Sequence, residues 1–227
     1  MNLALYILAY QMTEDKHMVT PVTAVAHTLC RIDLKHKNLC LDNLAHAMCE
    51  VTQENPKHRT SDYLQMEIDS PPGEDQYEKV AFYLRNNKTF ENYKKCKIHI
   101  EVYDKMAAEH REYVRRARCL LKNIRAFIKH DYLVIDIHRG ELDQRRREMD
   151  FAKSELKAAK ELQLIEVKSQ QYNQAVQTFE EKLNEVTTML DLLPKNKEAH
   201  INDLLEWTIH TRQHHEKMAK LLDLTEK

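Results

Sequence analysis

The stretch QYNQAVQTFEEKLNEVTTMLDLL, residues 171–193, decides the fold. Its apolar positions Tyr172, Val176, Phe179, Leu183, Val186, Leu190 and Leu193 step alternately by four and three residues. Such a spacing repeats on average every 3.5 residues, so one dry seam runs along a helix and stays against a partner only if the two helices supercoil. A second train with the same step lies upstream: Cys96, Ile100, Tyr103, Ala107, His110, Val114, Ala117, Leu121, Ile124 and Ile128. Two long seams in one chain predict antiparallel helices packed side by side.

Composition supports this reading. Of 227 residues only Gly73 and Gly140 are glycine and 5 are proline, while 31% are charged and 7% aromatic. A β-fold needs turn residues at short intervals, and these are missing. Glycine-dependent phosphate loops are absent too, since neither GxGxxG nor a P-loop motif occurs. The five cysteines, Cys30, Cys40, Cys49, Cys96 and Cys119, form no CxxC pair and fall on or beside apolar helical positions. They read as small reduced core residues of a cytoplasmic protein. The opening MNLALYILAYQM is apolar but too short to span a bilayer and lacks a basic leader region.

The few breakers divide the chain. Residues 1–19 form an N-terminal apolar segment whose structure the sequence leaves undecided. Thr20-Pro21 reads as a cap followed by a first-turn proline, which starts helix 1 at about 20–54. A loop at 55–73 holds Asn55-Pro56 and Pro71-Pro72-Gly73. Helix 2 is expected at about 74–160, a turn at 161–169, and helix 3 at about 170–224 with a bend at Pro194. At 1.5 Å per residue helix 2 would be on the order of 130 Å long, so the expected architecture is an elongated, all-α, three-helix antiparallel coiled-coil bundle. Helix 1 carries two apolar stripes, Val22, Val25, Leu29 and Ile32, then Leu34, Leu41, Leu44, Met48 and Val51. They fit either two partners, one within the chain and one across a dimer, or a local shift of register.

With a net charge of −1, any electrostatic function must come from local separation of charge. Helix 2 provides it. Arg111, Arg115, Arg118, Lys122, Arg125 and Lys129 recur every four or three residues and cluster within roughly 80° of arc. Folding does not require such a ribbon, because like charges one turn apart repel. It is either a solvated face partnered by acids such as Glu180, Glu181 and Glu185, or a site for an extended anionic surface. More cations follow at Arg139, Arg145, Arg146, Arg147, Lys153, Lys157 and Lys160. Lysines and arginines near an anionic leaflet each contribute about 1 kcal/mol, so a ribbon of them suits a membrane. Nucleic acid is not expected as a partner, since no aromatic platform interleaves the cations.

Catalytic and metal sites are not expected. Glu206, His210 and His214 share one helix face at ligand spacing, but HEXXH is missing and thirteen histidines produce such pairs by chance. His110 and His138 lie on apolar trains, as hydrogen-bonded interior histidines or as a pH-sensitive joint. No cofactor is implied.

Several stretches are similar to BAR domains, nearest the amphiphysin/endophilin (N-BAR) type. EVTQENPKHR at 50–59 resembles the exit from helix 1, with its N-P-x-x-R pattern. NIRAFIKHDYLVI at 123–135 resembles the helix 2 bend, with Lys129-His130-Asp131 where a proline is usual. LDQRRREMDFAKSEL at 142–156 resembles the basic run before the tip, and QTFEEKLNEVTTMLDLLP at 177–194 resembles helix 3. The resemblance implies a curved homodimer that binds anionic phospholipid membranes, senses or generates curvature in endocytosis or vesicle trafficking, and has no enzymatic role. A coiled-coil protein-interaction scaffold is the alternative. Carried onto this chain, the lipid-facing residues are Arg139, Arg145, Arg146, Arg147, Lys153, Lys157, Lys160 and Lys168, with the Arg111–Lys129 ribbon nearer the dimer centre. The dimer seam falls on Val25, Leu29, Ile32, Ile201, Leu204, Leu205 and Trp207. Residues 1–15 contain no Lys or Arg, unlike the basic helix that precedes the bundle in that type.

Overall fold

A computed structural model describes residues 34–62, 65–87 and 94–225. Its helices are α1 (Leu34–Thr52), α2 (Gln76–Asn86), α3 (Lys94–Leu120), α4 (Lys122–Ala126), α5 (Tyr132–Ala158), α6 (Leu162–Asp191) and α7 (Leu193–Leu222). A π turn at Phe127–Asp131 joins α4 to α5, and 3-10 turns lie at Pro56–His58 and Asp223–Thr225. The fold is all-α. Apart from one antiparallel bridge between Arg59 and Glu67, no extended pairing occurs among the described residues. Residues 1–33, with Val25, Leu29 and Ile32, lie outside them.

The chain divides into two units. The first, Asp131–Pro194, is a helical hairpin of α5 and α6. Leu142 and Met149 meet Phe179 and Val186, flanked by Tyr172, Ala175, Val176, Leu183 and Leu190. Six of the seven positions in the 3.5-residue train therefore form the seam, as the spacing requires. The turn is shorter than expected. It comprises Ala159–Glu161, where Ala159 (ψ 131°) and Glu161 (ψ 137°) are extended, and α6 absorbs most of 161–169. No glycine or proline marks the reversal, so nothing in the local chemistry advertises it. Gly140 sits inside α5 without ending it.

The second unit, Asn38–His130 with Lys195 onward, packs α1, α3 and α7 together. Ala45, Met48 and Cys49 of α1 meet Leu121, Ile124 and Ile128, with Met66, Leu41, Leu204 and Trp207 alongside. Trp207 also covers Tyr113, Val114 and Ala117, and its indole N–H donates to Thr52 Oγ1 at 3.2 Å. Val102, Met106 and Met218 continue the core with Tyr77, Tyr103 and Leu221. Burial pushes the Cys49 thiol up to about 12, so it stays protonated. Cys40, Cys49, Cys96 and Cys119 form no disulfide with one another.

Helix 2 is not continuous as expected. Its first turns form α2, capped by Asp75 in a reciprocal capping box with Glu78. Asn87 then adopts extended geometry (φ −89°, ψ 108°). A second break falls at Leu121 (φ −93°, ψ 23°). Its cause lies on α7: the Asp203 carboxylate accepts from the backbone N–H of Asn123 at 2.8 Å and of Ile124 at 3.1 Å, and from the Asn123 amide at 2.7 Å. A side chain from another helix thus satisfies two N–H groups at a new helix start. Where a proline was missing at Lys129-His130-Asp131, the π turn stands instead, a known local alternative to a proline kink. The helix is interrupted next to Pro194, with Leu192 between α6 and α7 and proline in the first turn of α7, where its missing N–H is harmless.

Candidate functional site

The six-cation ribbon meets the segment between α1 and α2. Arg111 forks onto Glu78, with Nε to Oε1 at 2.9 Å and Nη2 to Oε2 at 2.6 Å, and also donates to the carbonyls of Ser70 and Pro71. Arg118 donates to the Glu67 carbonyl at 3.1 Å. Arg125, with its side chain only 1% exposed, pairs with the Glu67 carboxylate at 2.5 Å. Arg115 reaches Asp69 and Glu112, and Lys129 reaches Asp62. Of the six, Arg118 meets only a backbone carbonyl, and Lys122 has no acidic partner among the described residues. The hydrogen bond and charge of Arg111 hold the Glu78 carboxyl below its ordinary range, and Glu78 in turn raises the guanidinium of Arg111.

The outward-facing ribbon is corrected accordingly. Arg125 is interior, and Arg111 and Arg118 are clamps on the chain itself. Among the described residues the acids that meet the ribbon are Asp62, Glu67, Asp69, Glu78 and Glu112, rather than Glu180, Glu181 and Glu185. Glu185 instead engages Lys182 and His138 in the hairpin, where Lys182 also pairs with Glu141 at 2.5 Å. Asp62, Glu67 and Asp69 were visible between two proline-bearing turns, but spacing along a helix says nothing about which loop folds back onto it.

The cations of the α5–α6 hairpin divide into two sets. Arg139 pairs with Asp136, Arg145 with Glu148, Arg146 with Asp143 and Asp150, and Arg147 with Asp143, all within the same helix. Arg145 and Arg147 remain exposed, and exposed pairs of this kind are held weakly enough to exchange partners. Lys168 bridges back to Glu155 at 3.0 Å. By contrast, Lys153, Lys157 and Lys160 have no acidic partner among the described residues, and the last two are exposed. They occupy the closed end of the hairpin.

Glu206, His210 and His214 go to different surroundings. Glu206 is exposed, His210 Nε2 contacts the Tyr113 carbonyl at 3.3 Å, and His214 stacks on Tyr113 with centroids 4.0 Å apart. Among the described residues no group of three or more His, Cys, Asp or Glu could hold a metal. His110 is buried with its Nδ1 2.6 Å from Asp75, whereas His138 is half-buried beside Lys182. Burial raises the Asp75 carboxyl, but the hydrogen bond and charge of His110 outweigh it and leave the group lowered.

With this geometry in place, the comparison with known families is decisive. A family model described as BAR domain matches residues 11–226. The chain belongs to the BAR domain family. A search of curated proteins finds no match. As a family, BAR domains are non-enzymatic helical modules that bind membranes, sense curvature and generally dimerise. In this BAR domain no described helix is long and apolar enough to cross a membrane. The residues expected at a dimer seam split into two groups. Leu204 and Trp207 pack against the subunit's own core, while Ile201 and Leu205 are exposed. With Ile209 they make an apolar strip one turn apart along α7, and Leu44 and Val51 make another on α1.

Proposed function

We propose that this BAR domain is a peripheral module of the N-BAR-like type that docks on anionic bilayers as a homodimer, on the cytoplasmic side of membranes in endocytic or vesicle traffic, and senses or generates curvature there. The family match carries the reading. It is supported by the free lysines Lys153, Lys157 and Lys160 and the exposed Arg145 and Arg147 on α5. Arg139, Arg146 and Lys168 assist from half-buried positions. On the other unit Arg115, Lys122 and Lys129 are exposed and can add charge, while Arg111, Arg118 and Arg125 hold the 59–78 segment in place. The Ile201, Leu205 and Ile209 strip is the proposed dimer seam.

Sedimentation with vesicles tests this. Wild-type protein should pellet with phosphatidylserine-rich vesicles and stay in solution with phosphatidylcholine alone. Replacing Lys153, Lys157 and Lys160 by alanine should weaken binding on the order of 10²-fold, at about 1 kcal/mol per cation. Binding equal on neutral and anionic vesicles, unchanged by salt, would refute the electrostatic reading, and binding to neither would leave a protein scaffold as the better account.

A further inference from the structure

The closed end of the hairpin combines two features that the fold does not use. One is the cluster of free lysines just described. The other is the start of α6, where Leu162 is 87%, Val167 50%, Leu164 43% and Ile165 39% exposed. At about 100° per residue these four cover more than half the helix circumference, leaving Gln163 and Glu166 as a narrow polar strip. A partner helix would cover one stripe of such a surface, whereas the head-group boundary of a bilayer can receive its whole breadth. Lys157 and Lys160 stand immediately before these apolar turns, placed to hold lipid phosphates as the leucines enter. The seam with α5 is built further along, at Tyr172, Val176 and Phe179, so these turns can be immersed without opening it.

We propose that the first two turns of α6 form an apolar wedge that enters the head-group layer of an anionic bilayer, anchored by Lys157 and Lys160. The proposal rests on the membrane-binding reading and adds penetration to surface attraction. The wedge adds apolar burial, which salt does not screen, and so makes attachment at the hairpin end resistant to salt.

The test uses Leu162→Trp in the full chain, with the parent protein supplying the Trp207 background. Mixed with phosphatidylserine vesicles carrying brominated acyl chains, the added indole should shift to the blue. It should be quenched at least twofold more by bromines near the glycerol than by bromines deep in the bilayer. Leu162→Gln with Val167→Gln should sediment normally at low salt and lose about tenfold in binding at 0.5 M salt. If Leu162→Trp pellets with vesicles but its emission does not move, the wedge is wrong and surface binding stands. If neither parent nor variant pellets, both readings fall. A blue shift that follows protein concentration without lipid would assign the patch to contact between copies and overturn the wedge.

Discussion

His214 stacks nearly parallel on Tyr113, at 8° between planes, with its Nδ1 buried and without a hydrogen-bond partner. Around it stand His110 and Glu109 from α3 and His210, His215 and Lys217 from α7. Burial, then the nearby histidines and Lys217, push its imidazole from 6.5 down to about 3. The folded protein therefore favours the neutral ring. Its contribution is complete above the unfolded value and declines as pH falls from about 6.5 toward 3, where the unfolded chain binds the extra proton. The expected loss at pH 5 is about 2 kcal/mol. Urea unfolding at pH 7 and pH 5 should show it, and His214→Phe should flatten the difference. Asp75, held below its ordinary range, adds a second loss only in stronger acid. At this scale the sequence was partly legible. His110 on an apolar train did prove interior and paired. Arg125 read as one more surface cation, because helical spacing assigns a direction and not the depth of what packs over it. Covered by Glu67, it is the largest fully buried side chain in the described structure.

At the scale of elements, seams were easier to read than ends. The period of 3.5 follows from how helices pack, so the seam of α6 could be located residue by residue. Breaks at Asn87 and Leu121 could not, since the group that shapes Leu121 is Asp203, 80 positions downstream of Asn123. This gives a specific expectation. Asp203→Ala removes the acceptor for two backbone N–H groups in a buried setting and should lower stability by about 3 kcal/mol. Asp203→Asn, which keeps one acceptor oxygen, should recover part of it. Denaturant midpoints of the two variants check the order. The short turn at Ala159–Glu161 escaped notice for another reason. A hairpin of helices needs only two extended residues to reverse, and any residue adopts that backbone.

At the scale of the molecule, the all-α class and the BAR family were readable from seam, loop and proline positions, while the role of the basic ribbon was not. Self-association is the property to measure here. Ile201→Glu with Leu205→Glu places charge on an exposed strip outside the described cores, so each subunit should keep its helix content while light scattering reports half the mass. A mass unchanged from wild type would remove α7 from the seam. The Asp203 contact also bears on how the chain acquires its shape during synthesis. The α5–α6 hairpin closes on itself with pairs such as Glu155–Lys168, only thirteen residues apart. The other unit waits for α7, because Trp207 must reach Thr52 across 155 residues and Asp203 must reach Asn123 across 80. Local closure outpaces distant closure. A released chain that ends before Leu193 should therefore shield its hairpin from protease while α1 and α3 stay open to cleavage, so the half that emerges last dictates when the half that emerged first becomes safe.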